Sequence, residues 1–330
     1  MKAVVMTAPG NPNVLKMQDV PMPELRGDRD VLVRLVAAGV NPIDTKVRSR
    51  GTFYPDYDSA ILGCDGAGVI EAIGASVEGF SIGDEVYFSQ GGLGAPGGNY
   101  AEYTVVDSRF IAPKPKSIGF AEAAASPLVL LTAWEALVDR ARLQSGQQAF
   151  IQAGAGGVGH VAIQLAHNIG ATVCTTVSNE EKAEFVESLG ADQSILYPQT
   201  DVVDAVLSWS GGGVDVAFDT LGGRSFSQCF AVTNVYGDVV TLLAPDAETD
   251  WKTARDRNLR VSYELMLTPQ LKGMVEAQQH QAHILRQCAA LIDQGKLQIH
   301  VSHQLPLAEA AEAHRLIEQG STTGKIVLMI

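Results

Sequence analysis

Apolar and polar positions along the chain fall into two regimes. Up to about Gly119, short apolar runs alternate with Gly- and Pro-marked turns. "AVVM", "VLVRLVAAGV", "GAGVIEAIG", "DEVYF" and "AEYTVV" therefore predict strands, and "VPMPELRGDRD" and "APKPKSIG" predict loops. Near Ala121 the spacing changes. "AEAAASPLVLLTAWEALVDRA" carries apolar residues at helical intervals, and Pro127 divides it into two helices.

A regular alternation follows. "QAFIQA" predicts a strand, "VGHVAIQLAHNI" a helix, "ATVCTTV" a strand, and "EEKAEFVESLG" a helix stopped at Gly190. "QSILY", "VDVAFDT" and "GDVVTLL" predict further strands, with a helix in "DVVDAVLSW". Strand and helix in turn indicate an α/β doubly wound parallel sheet. After the strand "LRVSYELM", one long helix is expected from about Pro269 to Gln294. The tail "HVSHQLPLAEAAEAHRLIEQGSTTGKIVLMI" reads strand, helix, strand, and resembles the first region. Two domains are thus expected, one over 1–121 and 294–330 and one over 122–293.

Composition narrows the class. The 330 residues are 46% hydrophobic and 18% charged, which describes a compact soluble chain. A net charge of -13 without a Lys/Arg cluster argues against nucleic acid. Leu143 to Asn179 contains no Asp, Glu, Lys or Arg, but Gly, Gln, Asn, Thr and Ser interrupt it. It reads as a buried strand–helix–strand, not a membrane span. The start "MKAVVMTAPG" reads as a strand, not a signal peptide. Cysteines 64, 174, 229 and 288 are dispersed, which points to a reducing cytoplasm and no disulfide framework.

The chemistry begins at "AGAGGVGH". Gly154, Gly156 and Gly159 fit G-x-G-x-x-G between a predicted strand and a predicted helix. Gly154 would make the tight turn, Gly156 would admit a pyrophosphate, and Gly159 would let the helix pack closely. Ala155, Gly157 and Val158 complete the dinucleotide loop, whose N–H groups and helix dipole favour an anion. At the end of the next strand stands Ser178, where NAD enzymes commonly carry an acid. Ser178, Lys182 and Tyr197 are therefore expected around a 2′-phosphate, making the cofactor NADPH. Ser178-x-x-Glu181 also reads as a capping box.

Five stretches together resemble the medium-chain dehydrogenase/reductase superfamily, in its zinc-independent quinone oxidoreductase (zeta-crystallin-like) branch. They are "AAGVNPIDTKVRSRG", "LGCDGAGVIEAIG", "LTAWEAL", "AGAGGVGHVAIQLA" and "SNEEKAEFVESLGAD", in family order, with the tail "TTGKIVL". The resemblance implies a GroES-like β-rich catalytic domain plus a Rossmann domain. It implies Asn41 and Thr132 near the nicotinamide, and the cofactor set closes with Leu243 and Lys325.

The departures shape the expected reaction. Zinc-using members have Cys where Asn41 stands and His-Glu where Cys64-Asp65 stand, so no metal is expected. Without zinc to lower a hydroxyl pKa, hydride delivery to a quinone or α,β-unsaturated carbonyl is the easier reaction. The candidate catalytic residues are Asn41, Tyr54 and Lys46. Asn41 would donate to the developing oxyanion, or satisfy its own loop. Tyr54 would shape the pocket or donate a proton, or simply pack. Lys46 stands where such relatives often have Tyr, and favours an anionic or polar substrate. Asp44 matches a recurrent acid and also suits a helix cap. Two alternatives stay open: an alcohol dehydrogenase-type carbonyl reductase, and a non-enzymatic NADPH-binding module. The apolar strand "LRVSYELM", at a sheet edge where relatives pair, predicts a homodimer.

Overall fold

The computed structural model describes residues 1–54, 60–94 and 97–330. It divides into two compact units, Met1–Leu128 with Leu267–Ile330, and Val129–Met266.

The first unit opens with strands β1 (Lys2–Met6), β2 (Leu15–Asp19), β3 (Asp30–Val40), β4 (Ala60–Ile61), β5 (Asp65–Ile73), β6 (Glu85–Ser89), β7 (Tyr103–Asp107) and β8 (Ala112–Pro113). Helix α1 (Pro42–Arg50) follows β3, and α2 (Phe120–Ala125) follows β8. Pro127 then starts α3 (Pro127–Trp134), as expected. A π-helical turn over Glu135–Arg140, which the apolar spacing did not reveal, continues it.

The second unit contains β9 (Gln148–Ile151), α4 (Gly159–Ile169), β10 (Thr172–Val177), α5 (Glu180–Ser188), β11 (Gln193–Leu196), α6 (Val202–Ser210) and β12 (Val214–Asp219). Next come α7 (Arg224–Val232), β13 (Thr233–Thr241), α8 (Trp251–Asp256) and β14 (Arg260–Tyr263). Its six strands run parallel in the order β11-β10-β9-β12-β13-β14. This is a doubly wound sheet, whose strand order reverses beside β9. Phe150, Cys174, Ala217, Phe226 and Phe230 belong to its core. Helix α7 was missing from the sequence reading. Adjacent parallel strands such as β12 and β13 require a crossover, and "RSFSQCFAV" supplies it.

The chain then returns to the first unit through α9 (Thr268–Leu271), α10 (Val275–Asp293), β15 (Val301–Pro306), α11 (Ala310–Gln319) and β16 (Lys325–Met329). The single helix expected over 269–294 is broken, because Gly273 takes a left-handed φ of 61° between α9 and α10. Strands β15-β16-β3-β5-β6-β8, with β7 also on β3, form one sheet, and β2-β1-β4 a second. Val31, Val33, Leu35, Ile70 and Phe88 fill the core behind the larger sheet.

The unit boundaries fall at 128/129 and 266/267, whereas the sequence placed them at 121/122 and 293/294. The difference is α10, which packs on the first unit. Tyr87 donates to the Leu285 carbonyl, Ser117 N–H to Asp293, and Arg286 to the Ile111 carbonyl. Helical spacing alone does not say which sheet a helix covers.

Candidate active site and cofactor loop

In the first unit, a buried polar cluster forms where β3 passes into α1. Asn41 is extended (φ -129°, ψ 154°), and Pro42 opens the helix behind it. The Asp44 carboxylate accepts the Asn41 backbone N–H at 2.9 Å, so the capping expected of Asp44 is present. From the other end of α1, Arg48 pairs with Glu318 of α11 at 2.5 Å and donates to the Gly10 carbonyl.

The Asn41 side chain is held at both ends. Its amide nitrogen donates to Asp65 at 2.8 Å, and its carbonyl oxygen accepts from the Lys325 ammonium. Lys325 also donates to the Val40 carbonyl at 3.1 Å. The second oxygen of Asp65 accepts the Leu128 backbone N–H at 3.0 Å. Tyr100 donates to Asp44 at 3.1 Å and meets His314 Nε2 at 3.2 Å. Asn41, Asp44, Asp65, Tyr100 and His314 are fully buried, and Lys325 is nearly so.

Burial decides the charge states. It pushes Asp44 up to about 6, against the Asn41 N–H, the Tyr100 hydroxyl and Lys325. It pushes Asp65 up to about 7, against Lys325 and Asn41. Burial likewise holds Lys325 below the ordinary lysine range despite Asp65 and Asp44. His314 is driven down to about 3, by burial and then by Arg48, and is neutral at pH 7. The Cys64 thiol is pushed far up by burial and by the carboxylates beside it.

Lys46 lies on α1, half-buried; its carbonyl accepts from the Ser49 hydroxyl at 3.2 Å, and its ammonium has no hydrogen-bond or ion-pair partner among the described residues. Burial, then Arg50, holds its amine below the usual range. Tyr54 is half-buried, and its carbonyl accepts from the Thr52 hydroxyl at 2.7 Å. Neither joins the Asn41 cluster through a hydrogen bond.

The second unit carries the glycine loop between β9 and α4. The left-handed turn falls on Ala153 (φ 51°), not on Gly154 as expected. Gly154 instead leaves room for Thr175 and Ile163, which a Cβ would meet at 2.2 and 2.8 Å. Gly159 serves close packing as expected, since a Cβ there would lie 2.2 Å from the Ala153 carbonyl. A Cβ on Gly156 would meet only that same carbonyl, at 3.2 Å, and otherwise open space. Gly156 N–H bonds the Ala153 carbonyl and His160 N–H the Gly156 carbonyl. The N–H groups of Gly157 and Val158 find no acceptor among the described residues. Ala155 is buried, and Gly157 and Val158 are half-buried.

The expected capping box at Ser178 is not formed. Asn179 caps α5 instead, accepting the Lys182 N–H at 2.9 Å, because α5 begins one residue later than that box requires. Ser178 and Lys182 are half-buried beside this cap, and Tyr197 is exposed past β11. Tyr197 lines a cleft of about 440 Å³ with Gln152, Thr176, Leu221, Arg224 and Gln228. Arg224 escaped the sequence reading together with α7; the Gly222-Gly223 pair past β12 was the available signal. Leu243 follows β13, with its side chain against Gly222. Thr132 is buried on α3.

No group of three or more His, Cys, Asp or Glu among the described residues is placed to hold a metal ion. At position 41 the amide is already bonded at both ends, and both oxygens of Asp65 are occupied.

The sequence matches two family models, "Alcohol dehydrogenase GroES-like domain" over residues 27–116 and "Zinc-binding dehydrogenase" over 189–328. The chain belongs to the medium-chain dehydrogenase/reductase superfamily. It is 34% identical, over 99% of its length and 79% of the relative's, to the chloroplastic NADPH-dependent alkenal/one oxidoreductase of Arabidopsis thaliana. Its fold matches Escherichia coli quinone oxidoreductase complexed with NADPH with TM-score 0.88 and 26% identity, over all of both chains. An NAD-dependent alcohol dehydrogenase matches with TM-score 0.90 and 33% identity, again over all of both chains. The expected architecture, a GroES-like domain with a Rossmann domain, is thereby established, and the relatives are oxidoreductases. No helix among the described residues is long and apolar enough to cross a membrane.

Proposed function

We propose that the protein is an NADPH-dependent, zinc-independent oxidoreductase that passes hydride to a quinone or an α,β-unsaturated carbonyl. The observation that carries this reading is residue 41. Where zinc-using relatives have a thiolate, this chain has a buried carboxamide bonded to Lys325 and Asp65. A site of this kind offers hydrogen bonds, not a Lewis acid. Electron-poor acceptors need little more than alignment and such a donor.

The cofactor loop fits a dinucleotide. Two unpaired N–H groups at the start of α4, with open space over Gly156, suit a pyrophosphate. Ser178 in place of an acid, with Lys182 on the helix that follows it and Tyr197 and Arg224 lining one cleft, favours a 2′-phosphate. When bound, NADPH supplies the hydride. The chain's residues orient it, and Asn41 donates to the oxygen that gains charge. The balancing proton is assigned to solvent. Tyr54 and Lys46 shape the acceptor's side of the site. Thr132 and Leu243 complete the cofactor set by family likeness; Lys325, expected in that set, has its ammonium bonded to Asn41 and the Val40 carbonyl and is assigned to Asn41 instead.

The same reading makes the protein a cytoplasmic homodimer. Its four cysteines are buried and free, and β14 leaves a sheet edge beside exposed Tyr263 and Leu265. The test is NADPH oxidation across quinones, enones, aldehydes and primary alcohols, with elemental analysis. Turnover of quinones or enones by metal-free protein is expected, with negligible alcohol oxidation. One zinc per chain, with activity lost to a chelator, would overturn the metal assignment. No turnover of any acceptor would leave a binding module.

A further inference from the structure

We propose that Lys325 is a positioning residue for this reaction, fixing which end of the Asn41 carboxamide faces which neighbour. The proposal rests on the function given above. A lysine ammonium only donates, so the Asn41 atom bonded to it must be the carbonyl oxygen. That orientation turns the amide nitrogen toward Asp65, whose carboxylate accepts at 2.8 Å. A flipped amide would set NH2 against ammonium and carbonyl oxygen against carboxylate, losing both bonds.

Both clamp partners are themselves anchored. Lys325 holds the Val40 carbonyl, and Asp65 holds the Leu128 N–H. The locked amide therefore has one hydrogen committed to Asp65 and one left for the acceptor. The positive charge on the carbonyl side also draws electrons from the nitrogen, which strengthens that remaining donor. Lys325 is thus spent inside the first unit, on the residue that touches the acceptor. A pyrophosphate-binding lysine would keep its ammonium open, and this one is 3% exposed.

A double-mutant cycle tests this. Lys325→Met should lower kcat about 10- to 100-fold, below the loss typical of deleting a whole oxyanion donor. The NADPH dissociation constant should stay within about twofold and Lys325→Arg should recover most of the rate, since the arginine keeps the charge. In an Asn41→Ala background, Lys325→Met should change kcat less than about twofold, because its effect passes through Asn41. A tenfold weaker NADPH affinity at unchanged kcat, or losses that multiply in the double variant, would overturn the proposal.

A second readout needs no turnover. In protein labelled with 15N-asparagine, the Asn41 side-chain amide resonances should shift in Lys325→Met. An unmoved signal rejects the clamp. A shifted signal in a protein that reduces nothing keeps the clamp and rejects the enzymatic reading. Should Lys325→Met not fold, Asp65→Asn reads the other half: kcat falls with NADPH affinity kept, or the proposal fails.

Discussion

The Tyr87 hydroxyl, on β6, donates to the Leu285 carbonyl on α10 at 2.5 Å, joining residues 198 apart in the sequence. Both groups are buried in the first unit. This bond helps assign α10 to the GroES-like domain although the helix follows the Rossmann sheet in the chain. Tyr87→Phe should cost about 1–2 kcal/mol, the penalty for a buried hydrogen bond lost with its acceptor left behind. A lower urea midpoint at unchanged slope is the expected result, and an unchanged midpoint would show the bond to be idle.

Two glycines of one loop should separate folding from binding. Gly159→Ala drives a Cβ into the Ala153 carbonyl, a backbone atom that cannot swing aside. It should destabilise the protein by about 2 kcal/mol or more, as overpacking does. Gly156→Ala meets one atom at 3.2 Å and should leave the melting temperature within a few degrees. It should nonetheless weaken NADPH binding at least tenfold by filling the space a pyrophosphate needs. Thermal melts and cofactor titrations on the two variants give the comparison.

Cofactor choice should depend on the exposed edge past β10. Lys182→Ala should weaken NADPH binding by about 1 kcal/mol and spare NADH, since a charge-assisted contact that stays in reach of solvent is of that size. Arg224→Ala should act in the same direction if its guanidinium reaches the 2′-phosphate from the cleft it lines. Equal affinities of the wild-type protein for NADPH and NADH would reject the 2′-phosphate assignment.

A pH dependence follows from Glu264. Burial, reinforced by Glu135, raises its carboxyl to about 9. The guanidinium of Arg140 approaches at 3.2 Å but makes no hydrogen bond with it, and is half exposed. The folded form thus keeps a proton that the unfolded chain releases above about 4.3. This contribution to stability is complete below that value and is lost as pH rises toward 9. Glu264→Gln should remove the loss. Its stability relative to wild type should grow steadily between pH 5 and 8. His314 acts in the opposite sense in the acid range: its pKa of about 3 means stability is lost as pH falls below the ordinary histidine value. Denaturation of both proteins across this range decides the matter, and parallel curves would refute the assignment.

Much of the architecture was legible because its signals are local. The alternation from Gln148 to Asp219 gave four strands and three helices of the Rossmann sheet within a residue or two. The reason is that buried parallel strands and amphipathic helices each carry their own apolar period. Pro127, Gly190 and the glycine loop punctuate the chain through backbone chemistry that needs no partner. The misses lay where a neighbour decides. Asn179 displaced Ser178 as the cap of α5, and Ala153 took the left-handed turn beside Gly154. Gly273 broke a helix whose side chains read as continuous.

By itself the sequence determined the succession of elements, the dinucleotide loop and the loss of the zinc ligand pattern, since each rests on residues close together in the chain. Only the tertiary structure decided what Asn41 is bonded to. Lys325 lies 284 residues away and reaches it because β16 pairs with β3, bringing Ile326 opposite Val40. Tyr100 and His314 meet 214 residues apart because α11, which carries His314, packs within the first unit. A sheet register converts distant positions into neighbours, and burial then fixes their protonation. Neither register nor burial is written in the local pattern, so the charge state and orientation of the site belong to the fold.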